Sequence, residues 1–144
     1  MAYMALSVAK YFVNKAIAED RPISNLKLQK IMYFIQRDYL KNHDGVPFFD
    51  DPIEAWQFGP VVPPVYYKYC AFGSMPITAD YSLDESIESH SQNFINSVYD
   101  KLKNKNAWDL VDETHKDGGP WKETYKDGSG NHKVIPLELI VEKG

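Results

Sequence analysis

The sequence predicts a mainly α fold: a single compact helical domain over residues 1–144, with at most short β segments. Three observations lead there. Apolar residues recur at helical spacing through two N-terminal stretches and again across residues 87–102. A composition of 44% hydrophobic and 25% charged residues is that of a globular chain. No repeat, low-complexity tract or linker divides the 144 residues, a length suited to one ordinary domain.

The first helix is expected over residues 3–19. Ala5, Ala9, Phe12 and Ala16 share one stripe, with Leu6, Val13 and Ile17 beside it. Asp20-Arg21-Pro22 ends it. Ser24 and Asn25 offer an N-cap to a second helix running to about residue 41. On that helix Leu28, Ile31, Met32, Ile35 and Tyr39 share one arc. Leu26, Tyr33 and Leu40 share another, with Gln29 and Gln36 between the two. A helix apolar around more than half its girth is central to its domain. Lys27, Lys30, Arg37 and Lys41, with Phe34 among them, are left as one basic stripe expected to face water.

Residues 54–69 concentrate Trp56, Phe58, Tyr66, Tyr67 and Tyr69 together with Gly59, Pro60, Pro63 and Pro64. Large aromatics at this density are seldom used on loops. An extended piece over 53–58 should meet a corner at Gly59-Pro60. Pro63 and Pro64 then fit the first turn of an aromatic helix ending near Gly73. Ser82 and Glu85 have the spacing of a capping box for a helix carrying Ile87, Phe94, Ile95, Val98 and Leu102. Asn106 is placed to cap a short helix with Ala107, Leu110 and Val111 on one side. Residues 116–121 then form a turn that plants Trp121. Residues 127–131 read as the most flexible segment, and 135–141 as a closing short helix or strand.

The chemistry-bearing residues are sparse. A net charge of −4 argues against non-specific nucleic-acid or membrane binding. The lone cysteine, Cys70, excludes an internal disulfide and fits a reducing cytoplasm. The N-terminus lacks the basic lead and apolar run of a signal peptide, so a cytoplasmic location is expected. No nucleotide-loop, nucleophile-elbow or zinc-protease motif is found, and the four histidines have no metal-ligand spacing. No catalytic, cofactor-binding or metal residue is therefore assigned. Asp112, Glu113, His115 and Asp117 form the one dense titratable cluster. It reads as a helix end with a His beside its carbonyls. Cys70 reads as a buried packing residue, and Trp56 and Trp121 as core anchors. The basic stripe has an ordinary reading as a solvated face. An aromatic ringed by cations also suits an interface for an acidic or phosphate-bearing partner, which makes Lys27, Lys30, Phe34, Arg37 and Lys41 candidate partner-binding residues.

Three blocks of sequence carry a resemblance. Residues 23–34, with Leu26, Lys27, Gln29 and Tyr33, resemble the Leu-Lys-Leu-Gln-Lys helix of the Panacea antitoxin family, also described as SocA-like or phage-associated GepA-like. The run with Trp56, Gly59, Pro60, Val61 and Tyr66 is similar to that family's second block, and His115 with Pro120 and Trp121 to its third. The blocks occur in order over residues 4–125; Pro64 and the 127–133 segment depart from the pattern. The resemblance implies a cytoplasmic bacterial, phage or prophage antitoxin that neutralises a cognate toxin, encoded by the adjacent gene, through direct protein contact and without a cofactor. Two other classes stay open at this point. One is a small hydrolase or metal-dependent enzyme centred on residues 112–117. The other is a phage regulator, which an acidic chain without a DNA-reading motif disfavours. Exposed tyrosines also leave a homodimer seam open.

Overall fold

Ser24 sets the start of the central helix: its hydroxyl accepts the amide of Lys27 at 3.2 Å, and its extended backbone turns the chain into α2 (Asn25–Asn42). The computed structural model describes residues 2–78 and 87–144. Around α2 pack α1 (Ala5–Ala18), α3 (Pro63–Tyr69), α4 (Ser89–Leu102), α5 (Ala107–Thr114) and α7 (Leu137–Lys143); α6 (Pro120–Tyr125) lies against α5 and α7. The β content is a small antiparallel sheet. Strand β1 (Glu54–Trp56) lies between β2 (Gly59–Val61) and β3 (Lys133–Val134), with Ala55 opposite both Pro60 and Lys133. The fold is mainly α, as the sequence predicts.

Most local expectations hold. Pro63 and Pro64 open α3, where their missing N–H groups cost nothing, and a tight turn over Cys70–Phe72 carries the chain to Gly73 at φ 59°. Asn106 forms a reciprocal capping box with Asp109 at the start of α5. The capping box expected at Ser82 and Glu85 lies outside the described residues. Residues 127–131, expected to be flexible, form ordered turns instead. The Gly130 amide donates to the Tyr125 carbonyl at 2.8 Å, and the His132 amide to that of Ala55 at 2.6 Å, so the segment is tied back to the sheet. The closing segment divides into β3 and α7, with Pro136 at the junction.

The centrality of α2 exceeds what its periodicity implies, and this corrects the expected basic stripe. Lys30 is 0% exposed and Phe34 is 2% exposed. A helical wheel shows which residues share a face; it does not show how many other elements will cover that face. Here β2 and α5 cover Lys30, while the Arg37 guanidinium lies 4.7 Å over the Phe34 ring beside Val98 and Leu102 of α4. The remaining cations are dispersed. Lys27 is half-buried and donates to the Lys103 carbonyl, Arg37 pairs with Asp38 at 2.9 Å, and Lys41 donates to the Gly144 carbonyl.

Two buried glutamines tie α2 to loops that have no regular partner. Gln36 Oε1 accepts the amides of Phe48 and Phe49, while its Nε2 donates to the Phe49 carbonyl. Gln29 Oε1 accepts the amide of Val62 at 2.9 Å, and its Nε2 donates to Asn25 Oδ1. A buried backbone group without a partner costs about 1–3 kcal/mol. Gln36→Leu is therefore expected to destabilise the fold by about 3 kcal/mol, despite adding apolar surface. Urea denaturation checks this, and a loss under about 1 kcal/mol would mean that water replaces the amide.

Candidate functional site: an aromatic cleft beside the hairpin

The β1–β2 hairpin is locked onto α2 and α5 by close approach. Gly59 has φ 115°, and a Cβ there would sit 2.8 Å from Thr114 Oγ1 and 2.9 Å from Lys30 Cε. Only glycine accepts both the left-handed backbone and the contact. Lys30 Nζ donates to the Pro60 carbonyl at 3.1 Å. Burial alone brings its pKa down from the ordinary lysine value to about 7. Asn25 joins the same junction by donating to the Tyr66 carbonyl at 3.0 Å.

Trp121 closes the hairpin from the other side. Its indole Nε1 donates to the Trp56 carbonyl at 2.7 Å, and its rings stack between His115, with centroids 3.7 Å apart, and Tyr125 at 4.7 Å. His115 caps the end of α5 as its sequence position implies. Burial, with the nearby Lys30 cation, lowers its pKa from the ordinary histidine value. The residues of the three sequence blocks therefore meet at one junction: Gln29 and Lys30 from α2, Trp56 through Tyr66 from the hairpin and α3, and His115, Pro120 and Trp121 from the α5–α6 corner. Tyr33 lies in the core beside Phe34, and burial raises its pKa to about 12.

Above this junction opens a cleft of about 570 Å³. Trp56, Phe58, Tyr66, Trp108 and His132 supply its aromatic wall, and Leu26, Val61 and Lys30 line it from α2 and β2. Trp56 is the correction here. It is partly exposed and stacks on His132 at 4.3 Å with the rings 10° from parallel, so it is a cleft wall and not a core anchor. Trp121, 6% exposed, is the buried anchor. Cys70, expected in the core, is exposed at the cleft rim with its thiol donating to the Tyr67 carbonyl. Phe58 is 50% exposed and Trp108 55%, their rings edge to face at 5.6 Å.

Sequence reasoning noted Phe58 only as one aromatic of the 54–69 run, and it did not mark Trp108 or His132 as site residues. Trp108 carries the one available signal: it sits off the apolar side of α5 defined by Ala107, Leu110 and Val111. By contrast, the titratable cluster at the end of α5 does not converge. Glu113 pairs with Lys105, Asp117 reaches Lys122 at 3.6 Å, and His115 turns inward onto Trp121. Among the described residues, no group of three or more His, Cys, Asp or Glu side chains is placed to hold a metal ion. No helix among them is long and apolar enough to cross a membrane.

The family described as "Antitoxin SocA-like, Panacea domain" matches residues 28–122, which include α2 from Leu28 onward, the hairpin, α3, α4 and α5. The chain belongs to this family. Antitoxin SocA of Caulobacter vibrioides (strain NA1000 / CB15N) is 32% identical to it over 147 aligned positions, covering 94% of this chain and 77% of the relative. No solved structure matches the chain. Within this Panacea domain, the matched span holds most of the hairpin junction and of the cleft wall, while Asn25, Leu26, Asn131 and His132 come from beyond it. An antitoxin role follows from the family and the relative.

Proposed function

We propose that this Panacea-domain protein is the antitoxin of a toxin–antitoxin pair and neutralises its toxin by direct protein–protein contact in the cytoplasm. The toxin is the product of the adjacent gene. The observation that carries this reading is the relationship to Antitoxin SocA, which extends over 94% of the chain rather than over a shared fragment. The geometry supports it: an open cleft walled by exposed aromatics suits recognition of another protein, since such residues dominate binding energy at interfaces. The enzyme alternative loses support because Glu113 and Asp117 pair with separate lysines, Lys105 and Lys122, while His115 packs inward. The regulator alternative loses its basic stripe, since Lys30 is buried and the other cations point to different partners.

Co-expression tests the reading. Inducing the neighbouring gene product alone should arrest growth; adding this protein should restore it, and the two should co-purify at equal stoichiometry. Growth arrest that persists with both proteins present at comparable levels would overturn the proposal.

A further inference from the structure

The junction beneath the cleft holds two basic side chains that no acid neutralises in place. Lys30 is 0% exposed, and no carboxylate among the described residues lies within ion-pair distance of its ammonium. Its hydrogen bond goes to the Pro60 carbonyl of β2 at 3.1 Å. His115 stands close by at the end of α5, next to Thr114, whose Oγ1 crowds Gly59 together with Lys30 Cε. The His115 Nε2 atom is buried and has no hydrogen-bond partner among the described residues. A neutral imidazole can leave that nitrogen bare as an unused acceptor. A protonated one would bury an N–H with nothing to receive it, beside a second cation.

The charged groups around the pair do little to offset this. On α5, Asp109 is engaged in the capping box and Glu113 with Lys105, which leaves Asp112 to favour the imidazolium through space. On α6, Lys122 opposes it, with Asp117 3.6 Å from that ammonium. On β1, Glu54 accepts the Trp56 indole N–H, and β2 carries no titratable side chain. Lys27 of α2 turns away to the Lys103 carbonyl, and the Phe58 backbone favours the charged ring. Burial outweighs these contributions, with the Lys30 cation adding to it at His115, and both side chains hold their protons less firmly than in water.

What the junction fastens is a small unit. Strands β1 and β2 are three residues each, and β3 adds two. Side-chain bonds tie the hairpin to the helices: the Lys30 bond, the Trp121 indole to the Trp56 carbonyl at 2.7 Å, and Gln29 to the Val62 amide. Short strands with few ties open at a lower free energy than packed helices. Opening returns Lys30 and His115 to water, where each binds its proton more firmly, so acid favours the open form.

We propose that Lys30 and His115 form an acid-sensitive latch: once both carry protons, the β1–β2 hairpin detaches from α2 and α5 and dismantles the cleft wall while the helices stay folded. The latch is a property of the junction and stands apart from the antitoxin reading.

Amide hydrogen exchange of the full-length protein at pH 8 and pH 5, corrected for the intrinsic rate, tests it. Protection of residues 54–62 should fall by about tenfold or more relative to α2 at the lower pH. Lys30→Met, which keeps the side chain's length, and His115→Gln should each remove most of that fall. The His115 ring resonance, followed by NMR, should titrate at a higher pH in Lys30→Met than in wild type, a reading that survives a generally weakened fold. Parallel loss of protection in the hairpin and α2 would overturn the proposal, because acid would then act on the whole fold. So would an unchanged fall in both variants, or a His115 midpoint indifferent to the loss of Lys30.

Discussion

Trp121→Ala is expected to lower the unfolding free energy by about 4–5 kcal/mol, near the upper end for truncating a buried aromatic. The side chain is 6% exposed and sits in the stack formed with His115 and Tyr125. Its removal leaves a cavity beside the α5–α6 corner. It also strips the Trp56 carbonyl of its 2.7 Å donor, which in that setting adds about 1 kcal/mol or more. Trp121→Phe separates the contributions. It keeps an aromatic in the stack, loses only the hydrogen bond and some volume, and should cost about 2 kcal/mol. Urea denaturation of both variants checks the ordering. Equal losses would show that the hydrogen bond, and not packing, dominates.

The second large effect belongs to Lys30 and is read as a dependence on pH. Its folded-state pKa of about 7 lies below the ordinary lysine value of 10.5. Between those values the unfolded chain binds more protons than the folded one, so stability rises with pH across the window. The full rise corresponds to about 4 kcal/mol. Lys27, half-buried and also lowered by burial, adds in the same direction. Above pH 10 the trend reverses: Tyr33 holds its proton to about 12 in the folded state, while the unfolded chain releases it earlier. Maximum stability is therefore expected near pH 10. Lys30→Met should flatten the rise and leave the protein more stable than wild type by about 2 kcal/mol at pH 7, after the lost bond to the Pro60 carbonyl is counted. Chemical denaturation at pH 6.5 and pH 9.5 decides it. Parallel curves for variant and wild type would show that water reaches the ammonium.

The legible parts of the fold were those written in local chemistry. Ser24 and Asn106 marked helix starts because their side chains satisfy amides within the same turn. Pro63, Pro64 and Gly73 bracketed α3 because each restricts or frees the backbone where it stands. The apolar arcs of α2 identified its centrality. The arc given over to cations was misread because Lys30 and Phe34 are buried by β2, α5 and α4, elements remote in sequence.

The candidate site was legible in part. Trp56, Gly59, Pro60 and Tyr66 stood out by density and by resemblance, but their roles split between junction and cleft only in three dimensions. Phe58 belongs to the aromatic run of residues 54–69 and Trp108 to a short helix fifty residues on, and nothing in their spacing announces that they will meet. His132 lies in a segment whose glycines and polar residues suggest mobility. The order there comes from a local backbone bond to Tyr125 and from one to Ala55, a partner remote in sequence.

The three tryptophans stand at three depths: Trp121 in the core, Trp56 in the cleft wall and Trp108 at the surface. Indole emission shifts to the red as the ring meets water, so the native spectrum should be a resolvable sum of a blue, an intermediate and a red component. Acrylamide should quench them in the order of their exposure, Trp108 first. A single unlabelled sample thus carries its own optical ruler. Loss of the blue component alone tracks opening of the α5–α6 corner, and loss of the red component's accessibility tracks occupation of the cleft.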